Sequence, residues 1–311
     1  MDRVRELHGV GEVNGTVLVV GGDGLIGSAL VDYLHVRGVS VLATTRREES
    51  LRKNRVWLDL NEAGAFDCPK NVGAVVFCAA ATNLSFCRDH PDDARRINVD
   101  RTLRVAEACA RVGAAVTFLS TTLVFDGSLA QTPADASRTP KSVYGVLKAD
   151  AELGLQRRIK QLSIIRLAKV FSPKMPLLQA WRRRLRNGQP VEAFSDYRCA
   201  PIDLPTVVAG IAKIIQQQCQ GVWQFSPQLD VTYAQIARET ARRLSVDPNL
   251  VKAIPSTAKV QLEHIPKHTT LDASRSCEVL GLQFPGMSVV LDRVWNESGL
   301  LIDERDEMSL L

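Results

Sequence analysis

The chain places a tyrosine and a lysine four positions apart, Tyr144 and Lys148, in a segment with helical spacing. On a helix, that spacing puts both side chains on one face. A phenol ordinarily has a pKa of about 10 and exchanges protons poorly near neutral pH, but a neighbouring ammonium favours the phenolate and lowers that pKa. The pair therefore predicts a general acid, Tyr144, that gives a proton to a carbonyl oxygen or takes it back in the reverse direction.

Two hydroxyl residues, Ser120 and Thr121, end the predicted strand one element earlier. Doubly wound sheets bind ligands in the crevice outside the carboxyl ends of their strands. A hydroxyl in that crevice can donate a hydrogen bond to the same carbonyl oxygen. The alternative is that both hydroxyls only satisfy backbone groups of a turn.

Glycines at positions 21, 24 and 27 form the pattern G-x-x-G-x-x-G between a predicted strand and a predicted helix. The first permits a tight turn, the second lets the backbone approach a pyrophosphate, and the third lets the helix pack on the sheet. Backbone N–H groups and the helix dipole then face the phosphate charge. We therefore expect a dinucleotide to bind at Gly21, Gly24, Leu25, Ile26 and Gly27.

The residues after the second predicted strand indicate which dinucleotide this is. Sites for NAD(H) carry an acidic residue about 20 residues beyond the loop, where it binds the ribose. This chain has Arg46 and Arg47 there, ahead of Glu48 and Glu49. Guanidinium groups pair with a 2′-phosphate, which a carboxylate would repel. The sequence thus favours NADP(H) over NAD(H), with a solvated charge cluster as the alternative.

Alternating strands and helices must position these residues. Apolar runs predict strands at 16–20, 40–44, 55–60, 73–81, 114–120 and 162–166. Helical spacing of apolar residues predicts a helix at 25–36, and the sequence also predicts helices at 92–112 and 142–160. Such alternation predicts an α/β fold with a doubly wound parallel Rossmann sheet.

The pattern changes after about residue 171, where prolines interrupt the chain. The later sequence predicts helices at 203–218 and 232–244 and a strand at 221–225. The expected division is a polar tail at 1–15, a dinucleotide-binding domain at 16–171 plus about 200–220, a smaller C-terminal α/β substrate-binding cap at about 172–199 and 221–295, and a C-terminal tail at 296–311.

Together these segments resemble the extended short-chain dehydrogenase/reductases, and among them the dTDP-4-dehydrorhamnose reductase (RmlD-like) family. The segment S-T-T-L-V-F-D-G at 120–127 is similar to that family's S-T-D-Y-V-F-D-G. C-A-A-A at 78–81 is similar to its N-A-A-A, I-N-V at 97–99 to its V-N, and Y-G-V-L-K at 144–148 to its Y-G-x-x-K. The resemblance covers about residues 16–295.

The resemblance implies the catalytic roles. It places the catalytic hydroxyl on Thr121, the acid on Tyr144 and the lysine on Lys148, which would also hold the nicotinamide ribose. Thr121 and Tyr144 would therefore contact the substrate directly.

The resemblance also implies further binding residues. It places adenine contacts on Asp59 and Leu60, and nicotinamide-side backbone contacts on Ala79 and Ala80. It places Arg198 near the nucleotide portion of the substrate, where a guanidinium suits a diphosphate. A structural ion pair is the alternative for Arg198.

Two positions depart from the family pattern. Thr122 stands where the family has an Asp, and Cys78 where it has an Asn. Related sugar-nucleotide dehydratases have Asp-Glu after the threonine, so the missing carboxylate argues against dehydration. The departure at Thr122 also leaves the sugar undefined.

The implied function is an NADP(H)-dependent reduction of a keto group on a nucleotide-linked 4-keto sugar. One alternative is a sugar-nucleotide epimerase that keeps NAD(H) tightly bound. The other is a non-catalytic NADP-binding subunit that regulates another enzyme.

The composition excludes several other classes of protein. The 311 residues are 45% hydrophobic and 23% charged, with a net charge of +5, which is typical of a globular protein and modest for a nucleic-acid binder. The seven cysteines form no C-x-x-C pair, which favours reduced thiols. With neither a signal-like stretch at the start nor a long apolar run, we expect a soluble cytoplasmic protein with no membrane or nucleic-acid partner. A homodimer is left open.

Two further clusters attract weaker functional interpretations. The segment W-R-R-R-L-R at 181–186 is better explained as a solvated helix face than as a nucleic-acid site. His264 and His268 have helical spacing, but Pro266 lies between them, so we expect no metal site.

Overall fold

The computed structural model describes residues 15–51, 54–62, 64–258 and 263–299. The strands are β1 (Thr16–Val20), β2 (Val41–Thr45), β3 (Arg55–Trp57), β4 (Val72–Phe77), β5 (Ala115–Thr121), β6 (Leu162–Leu167), β7 (Lys169–Phe171), β8 (Val191–Phe194), β9 (Arg198–Cys199), β10 (Pro201–Asp203), β11 (Gly221–Phe225), β12 (Val231–Thr232) and β13 (Val251–Ile254). The helices are α1 (Leu25–Val36), α2 (Leu84–Asp89), α3 (Pro91–Arg95), α4 (Thr102–Arg111), α5 (Val143–Arg158), α6 (Pro176–Arg186), α7 (Leu204–Gln216), α8 (Tyr233–Arg243), α9 (Ser274–Leu280) and α10 (Met287–Gly299).

Seven parallel strands form the central sheet in the order β11-β6-β5-β4-β1-β2-β3. Strand β1 is buried on both faces, with Val17 and Val19 in one core and Leu18 and Val20 in the other. This alternation follows from the two-residue repeat of a strand. The predicted α/β class and the doubly wound parallel sheet are confirmed.

Helices cover both faces of the sheet. Helices α1 and α7 pack in one apolar core, while α4 and α5 pack in the other. The helix predicted at 92–112 corresponds to α3 and α4, joined by a π-helical turn at Arg96–Arg101. Apolar spacing does not reveal such a turn, because it changes the hydrogen bonding of only a few residues.

Two predicted strands end earlier than their apolar runs do. The run at 73–81 leaves the sheet after Phe77, because the N–H groups of Cys78 and Ala79 both donate to the carbonyl oxygen of Val20. The run at 55–60 is a strand only through Trp57. Both short extensions line the ligand cavity described below.

A third apolar core lies in the later part of the chain. It is built by α6, α8 and α10 together with the parallel pair β8–β13 and the antiparallel pair β9–β12. Strand β11 pairs with β6 at the edge of the central sheet, whereas the sequence-based division assigned 221–225 to the cap. The remainder of that division stays a prediction. Among the described helices, none is both long and apolar enough to span a membrane.

Candidate active site

The glycine loop between β1 and α1 packs too closely for side chains at Gly21 and Gly27. Gly21 has a φ of +90°, and a β carbon there would lie 2.7 Å from the backbone nitrogen of Ala79. A β carbon on Gly27 would overlap the carbonyl oxygen of Gly21. Gly24 caps α1 without a side-chain hydrogen bond. The loop is therefore bare backbone at a helix N-terminus, which is the arrangement that binds phosphate.

This loop opens into a cavity of about 750 Å³. The cavity contains most of the residues expected to bind the dinucleotide, namely Gly21, Gly24, Arg46, Arg47, Asp59, Leu60, Ala79 and Ala80. Leu25 lines an adjoining cavity beside α1, and Ile26 lines the cavity that contains Tyr144. Gly27 serves the close contact with Gly21.

A hydrogen-bond network fixes the end of this first cavity that contains Arg46 and Arg47. Thr45 accepts a hydrogen bond from the N–H of Arg47 at 3.0 Å and donates one to Asp23 at 2.6 Å. Asp23 forms an ion pair with Arg55. The exposed Arg46 reaches to 3.9 Å from a carboxylate oxygen of Asp59. Both carboxylates at this end are thus paired with arginines, and sequence reasoning did not identify the role of Asp23.

The alanine loop after β4 is held from behind by Asn98, which is 1% exposed. Its side-chain oxygen accepts a hydrogen bond from the N–H of Ala81 at 2.8 Å, and its amide nitrogen donates to the carbonyl oxygen of Ala81 at 3.0 Å. The Asn98 side chain therefore forms hydrogen bonds with both the N–H and the carbonyl group of Ala81. This clamp fixes the path of Ala79 and Ala80, which line both cavities.

The second cavity, of about 350 Å³, joins the catalytic candidates. Thr121, Tyr144, Lys148 and Arg198 all line it. The cavity lies at the carboxyl ends of β4, β5 and β6, as expected for a doubly wound sheet.

Local structure explains why Thr121 and Tyr144 line the same cavity. Thr121 ends β5 and accepts a hydrogen bond from the N–H of Leu123 at 3.2 Å. Ser142 caps α5, accepting from the N–H of Gly145 at 3.2 Å. A β carbon on Gly145 would overlap the carbonyl oxygen of Leu123. The missing side chain therefore lets the start of α5 sit directly on the turn that follows Thr121.

The pKa values of Tyr144 and Lys148 differ from those that the sequence predicts. Burial, with a smaller effect of Cys87, raises the pKa of Tyr144 above its ordinary value. Burial also lowers the pKa of Lys148 to about 7, although Glu152 and Cys78 oppose this shift. The lowering of the Tyr144 pKa that the sequence predicted is therefore not observed, because burial raises this pKa instead.

Surrounding groups keep Lys148 in place. It is 3% exposed, and its Nζ lies 3.8 Å from the centre of the Phe118 ring. Such a cation–π contact stabilises the charged form. Burial raises the pKa of the neighbouring Cys78 thiol to about 12, so the residue that departs from the family pattern carries no charge.

Sequence reasoning missed several residues of this cavity. Lys169 follows β6 and lines the cavity beside Arg198. The Tyr197 and Tyr233 rings also line it and stack with their centres 5.5 Å apart. Among the described lining residues none is acidic, so Lys148, Lys169 and Arg198 give the cavity a positive potential. The position of Lys169 just beyond a strand end was the available signal.

A returning segment, residues 263–272, closes the far side of the cavity with Pro266 and Thr269. His264 lies 2.6 Å from the carbonyl oxygen of Asp126, and His268 lies 3.2 Å from Asp230. Both histidines therefore have structural contacts. Within the described ranges, no group of three or more His, Cys, Asp or Glu side chains could hold a metal ion.

Comparisons with known proteins identify chains that are similar over most of their length. A dTDP-4-dehydrorhamnose reductase of Streptomyces griseus is 28% identical over 269 residues, which cover 83% of this chain and 86% of that protein. The methionine adenosyltransferase 2 subunit beta of Bos taurus is 23% identical over 313 residues, which cover 94% of this chain and 90% of that protein.

Solved structures share the fold. The dTDP-4-dehydrorhamnose reductase of Bacillus anthracis in complex with NADP superposes with a TM-score of 0.79 at 18% identity, covering 91% of this chain and 99% of that one. MoeE5 in complex with UDP-glucose and NAD superposes with a TM-score of 0.75 at 25% identity, covering 92% of this chain and 100% of that one.

The family comparison extends over nearly the whole chain. Residues 15–298 match the RmlD substrate binding domain family. That range includes the glycine loop, the alanine loop, Thr121, the Tyr144–Lys148 helix and Arg198. The chain belongs to the RmlD substrate binding domain family.

Proposed function

We propose that the protein is an NADP(H)-dependent reductase that acts on the keto group of a nucleotide-linked 4-keto sugar. The observation that carries the proposal is the wall shared by the two cavities. Cys78, Ala79 and Ala80 line both, so a dinucleotide in the first would present its reactive end beside Thr121 and Tyr144 in the second. The S. griseus and B. anthracis relatives support the same activity.

The residues present fit a dinucleotide. The first cavity has the volume of an ordinary ligand site, and side chains at Gly21 and Gly27 would disrupt the loop that faces it. Bound NADPH supplies the hydride that reduces the carbonyl carbon.

The chain's own groups act on the carbonyl oxygen. Because the pKa of Tyr144 is raised, its hydroxyl stays protonated at neutral pH and can donate its proton to that oxygen. The hydroxyl of Thr121 donates a second hydrogen bond while it accepts from Leu123, which fixes its orientation. The charged form of Lys148 favours the phenolate that remains on Tyr144.

The preference for NADP(H) rests on the arginine end of the first cavity. Arg46 and Arg47 offer guanidinium groups where a 2′-phosphate would lie, and Thr45 holds the backbone of Arg47. The carboxylates of Asp23 and Asp59 lie there too, but each is paired with an arginine, which reduces their repulsion of a phosphate.

The substrate class follows from the charge of the second cavity. Lys169 and Arg198 suit a diphosphate, and the tyrosine pair beside them suits a flat ring. Thr122 also lines this cavity, in place of the carboxylate that elimination chemistry uses. Reduction without dehydration is therefore the favoured reaction.

A second candidate function is that of a dinucleotide-binding subunit that regulates another enzyme. The observation in its favour is the bovine methionine adenosyltransferase 2 subunit beta, which aligns with 94% of this chain. The complete set of Thr121, Tyr144 and Lys148 in one cavity favours the enzyme. A homodimeric assembly and the lack of a nucleic-acid partner remain predictions of the sequence.

One experiment separates these functions. Purified protein is offered a panel of nucleotide-linked keto sugars with NADPH, and in parallel with NADH, while cofactor oxidation is followed. We expect NADPH oxidation with at least one sugar and its loss in Tyr144→Phe. Unchanged turnover in Tyr144→Phe contradicts the mechanism, and cofactor that copurifies and is regenerated in each turnover indicates an epimerase. Absence of turnover together with a stable partner enzyme indicates the regulatory subunit.

A further inference from the structure

Glu152 is a fully buried acidic residue in α5 to which the proposed reaction assigns no role. It is 0% exposed, and its carboxylate accepts hydrogen bonds from three side chains. Arg166 donates to both oxygens at 3.1 and 2.8 Å, Arg138 donates at 2.6 Å and Ser120 donates at 2.5 Å. Burial alone would raise the pKa of Glu152, but these partners together lower it, so the group is ionised.

The carboxylate joins the elements that carry the candidate catalytic residues. Ser120 immediately precedes Thr121 at the end of β5, and Arg166 stands opposite it on β6. Lys148 lies one helical turn before Glu152, on the same face of α5. A single buried group therefore ties the strand that ends at Thr121 to the helix of Tyr144 and Lys148.

The charges around Lys148 determine how strongly Glu152 affects the protonation of the lysine. On α5 the neighbours are Tyr144 and Glu152, and the end of β4 contributes Cys78. The pKa values of Tyr144 and the Cys78 thiol are raised, so neither carries charge near neutral pH. Cys87 on α2, whose thiol pKa is also raised, adds none.

Cations also surround the lysine. Lys169 and Arg198 line the same cavity, while Arg138 and Arg166 are bound to Glu152. Among the described residues, Glu152 has the largest charge effect that opposes the loss of the proton from Lys148. We propose that Glu152 is a positioning residue that favours the protonated form of Lys148 and holds α5 against the end of β5.

This inference rests on the proposed function, because it assigns Glu152 to the pair that the reaction would use. A purely structural role predicts something different. Loss of a structural ion pair lowers stability and turnover without moving the pH at which activity declines, whereas a charge effect moves that pH in a direction set by the sign of the charge removed.

The test therefore removes charges of opposite sign from the same cluster. Glu152→Gln removes the negative charge and should move the alkaline decline of kcat/KM for NADPH-dependent reduction to lower pH by about one unit. Arg138→Met removes a positive charge from the half-buried edge of the cluster and should move the decline to higher pH. Glu107→Gln is the matched control, because Glu107 pairs with Arg158 on α5 at the surface. No displacement is expected there.

A second measurement does not need activity. The pKa of Lys148 is lowered from 10.5 to about 7, so the unfolded chain binds the additional proton between those values. Stability relative to a Lys148→Met partner should therefore rise with pH across that window. Denaturant unfolding is measured at several pH values for the parent, Glu152→Gln and Arg138→Met proteins, each with and without Lys148→Met. For each pair, the pH at which this stability difference begins to rise is compared with that of the parent.

The outcomes separate the two proposals. Opposite displacements in Glu152→Gln and Arg138→Met, in activity and in the start of the stability rise, support the role of Glu152. No displacement in either variant overturns it. If the parent protein reduces no sugar but the stability rise still moves, the proposed function fails and the effect of Glu152 on Lys148 stands. If Glu152→Gln does not fold, the test rests on Arg138→Met. An unchanged pH for the start of the stability rise in that variant then overturns the proposed role of Glu152.

Discussion

Gly145 lies directly against the carbonyl group of Leu123, so that even a single β carbon would overlap its oxygen atom. This contact joins the first turn of α5 to the turn that follows Thr121. The separation of the two hydroxyl groups thus depends on a residue that has no side chain.

Gly145→Ala should push α5 away from that turn. We expect a loss of about 1–3 kcal/mol in the free energy of unfolding, the usual effect of overpacking, together with lower kcat. The matched control is Gly286→Ala, because a β carbon there meets nothing within 4 Å. Denaturant unfolding and steady-state kinetics measure both variants, and equal behaviour of the two would contradict the role of the contact.

Thr121→Val removes the hydroxyl while keeping the shape of the side chain. We expect kcat to fall about 100-fold, whereas Thr121→Ser should stay within about tenfold of the parent, because it keeps the donor. Valine also loses the hydrogen bond from Leu123, so unfolding is measured alongside kinetics. If serine fails to restore turnover, the hydroxyl is not the active group.

Replacing both Arg46 and Arg47 by alanine should weaken the binding of NADPH more than that of NADH. We expect the KM for NADPH to rise at least about tenfold, since bonds to charged groups are worth about 1.5–3 kcal/mol, while the KM for NADH changes little. Thr45→Val should weaken NADPH binding less, because it removes the hydrogen bond that holds the backbone of Arg47 but neither guanidinium group. Arg183→Ala, on the exposed face of α6, is the control. Equal losses for both cofactors would refute recognition of the 2′-phosphate.

Lys169→Ala and Arg198→Ala should each raise the KM for the nucleotide sugar by about tenfold or more, because each removes a cation from a cavity whose described lining residues include no acidic side chain. The NADPH KM should be unaffected. Lys174→Ala is the matched control, since Lys174 lines the adjoining cavity beside α1 and not the cavity that contains Tyr144. A comparable rise in the control would mean that overall charge, not these positions, binds the substrate.

Lys148→Met should abolish turnover and yet raise stability at low pH. Burial lowers the pKa of Lys148 to about 7, so below that value the folded protein holds a buried charge that methionine lacks. The stability gain should be largest below the folded pKa and shrink as pH rises towards 10.5. A gain independent of pH would show that packing, not charge, explains the difference.

The sequence was sufficient wherever local signals agreed. The β1–glycine–α1 unit could be predicted because the turn glycines and the helical spacing of the following apolar residues marked the same boundary. Helix α5 (Val143–Arg158) lies within the range predicted for it, 142–160. The sequence also predicted that Thr121, Tyr144 and Lys148 would meet, since strand ends share one edge in a parallel sheet.

Tertiary packing determined the rest. Glu152 is an ordinary charged residue by sequence, and its complete burial depends on Arg166, which lies on a strand formed later in the chain. The partition of Leu25 and Ile26 into separate cavities follows from the direction of side chains on α1. The raised pKa of Tyr144 likewise reflects burial, which no spacing encodes.

The returning segment has a consequence for how the protein is made. Pro266 and Thr269 complete the cavity wall, and Leu271 forms a bridge with Thr132 beyond the catalytic strand. During synthesis, the glycine loop and the catalytic helix leave the ribosome more than a hundred residues earlier than this wall does. The residues that line the first cavity lie between Val20 and Ile97, so a nascent chain contains all of them long before it contains the residues that close the second cavity.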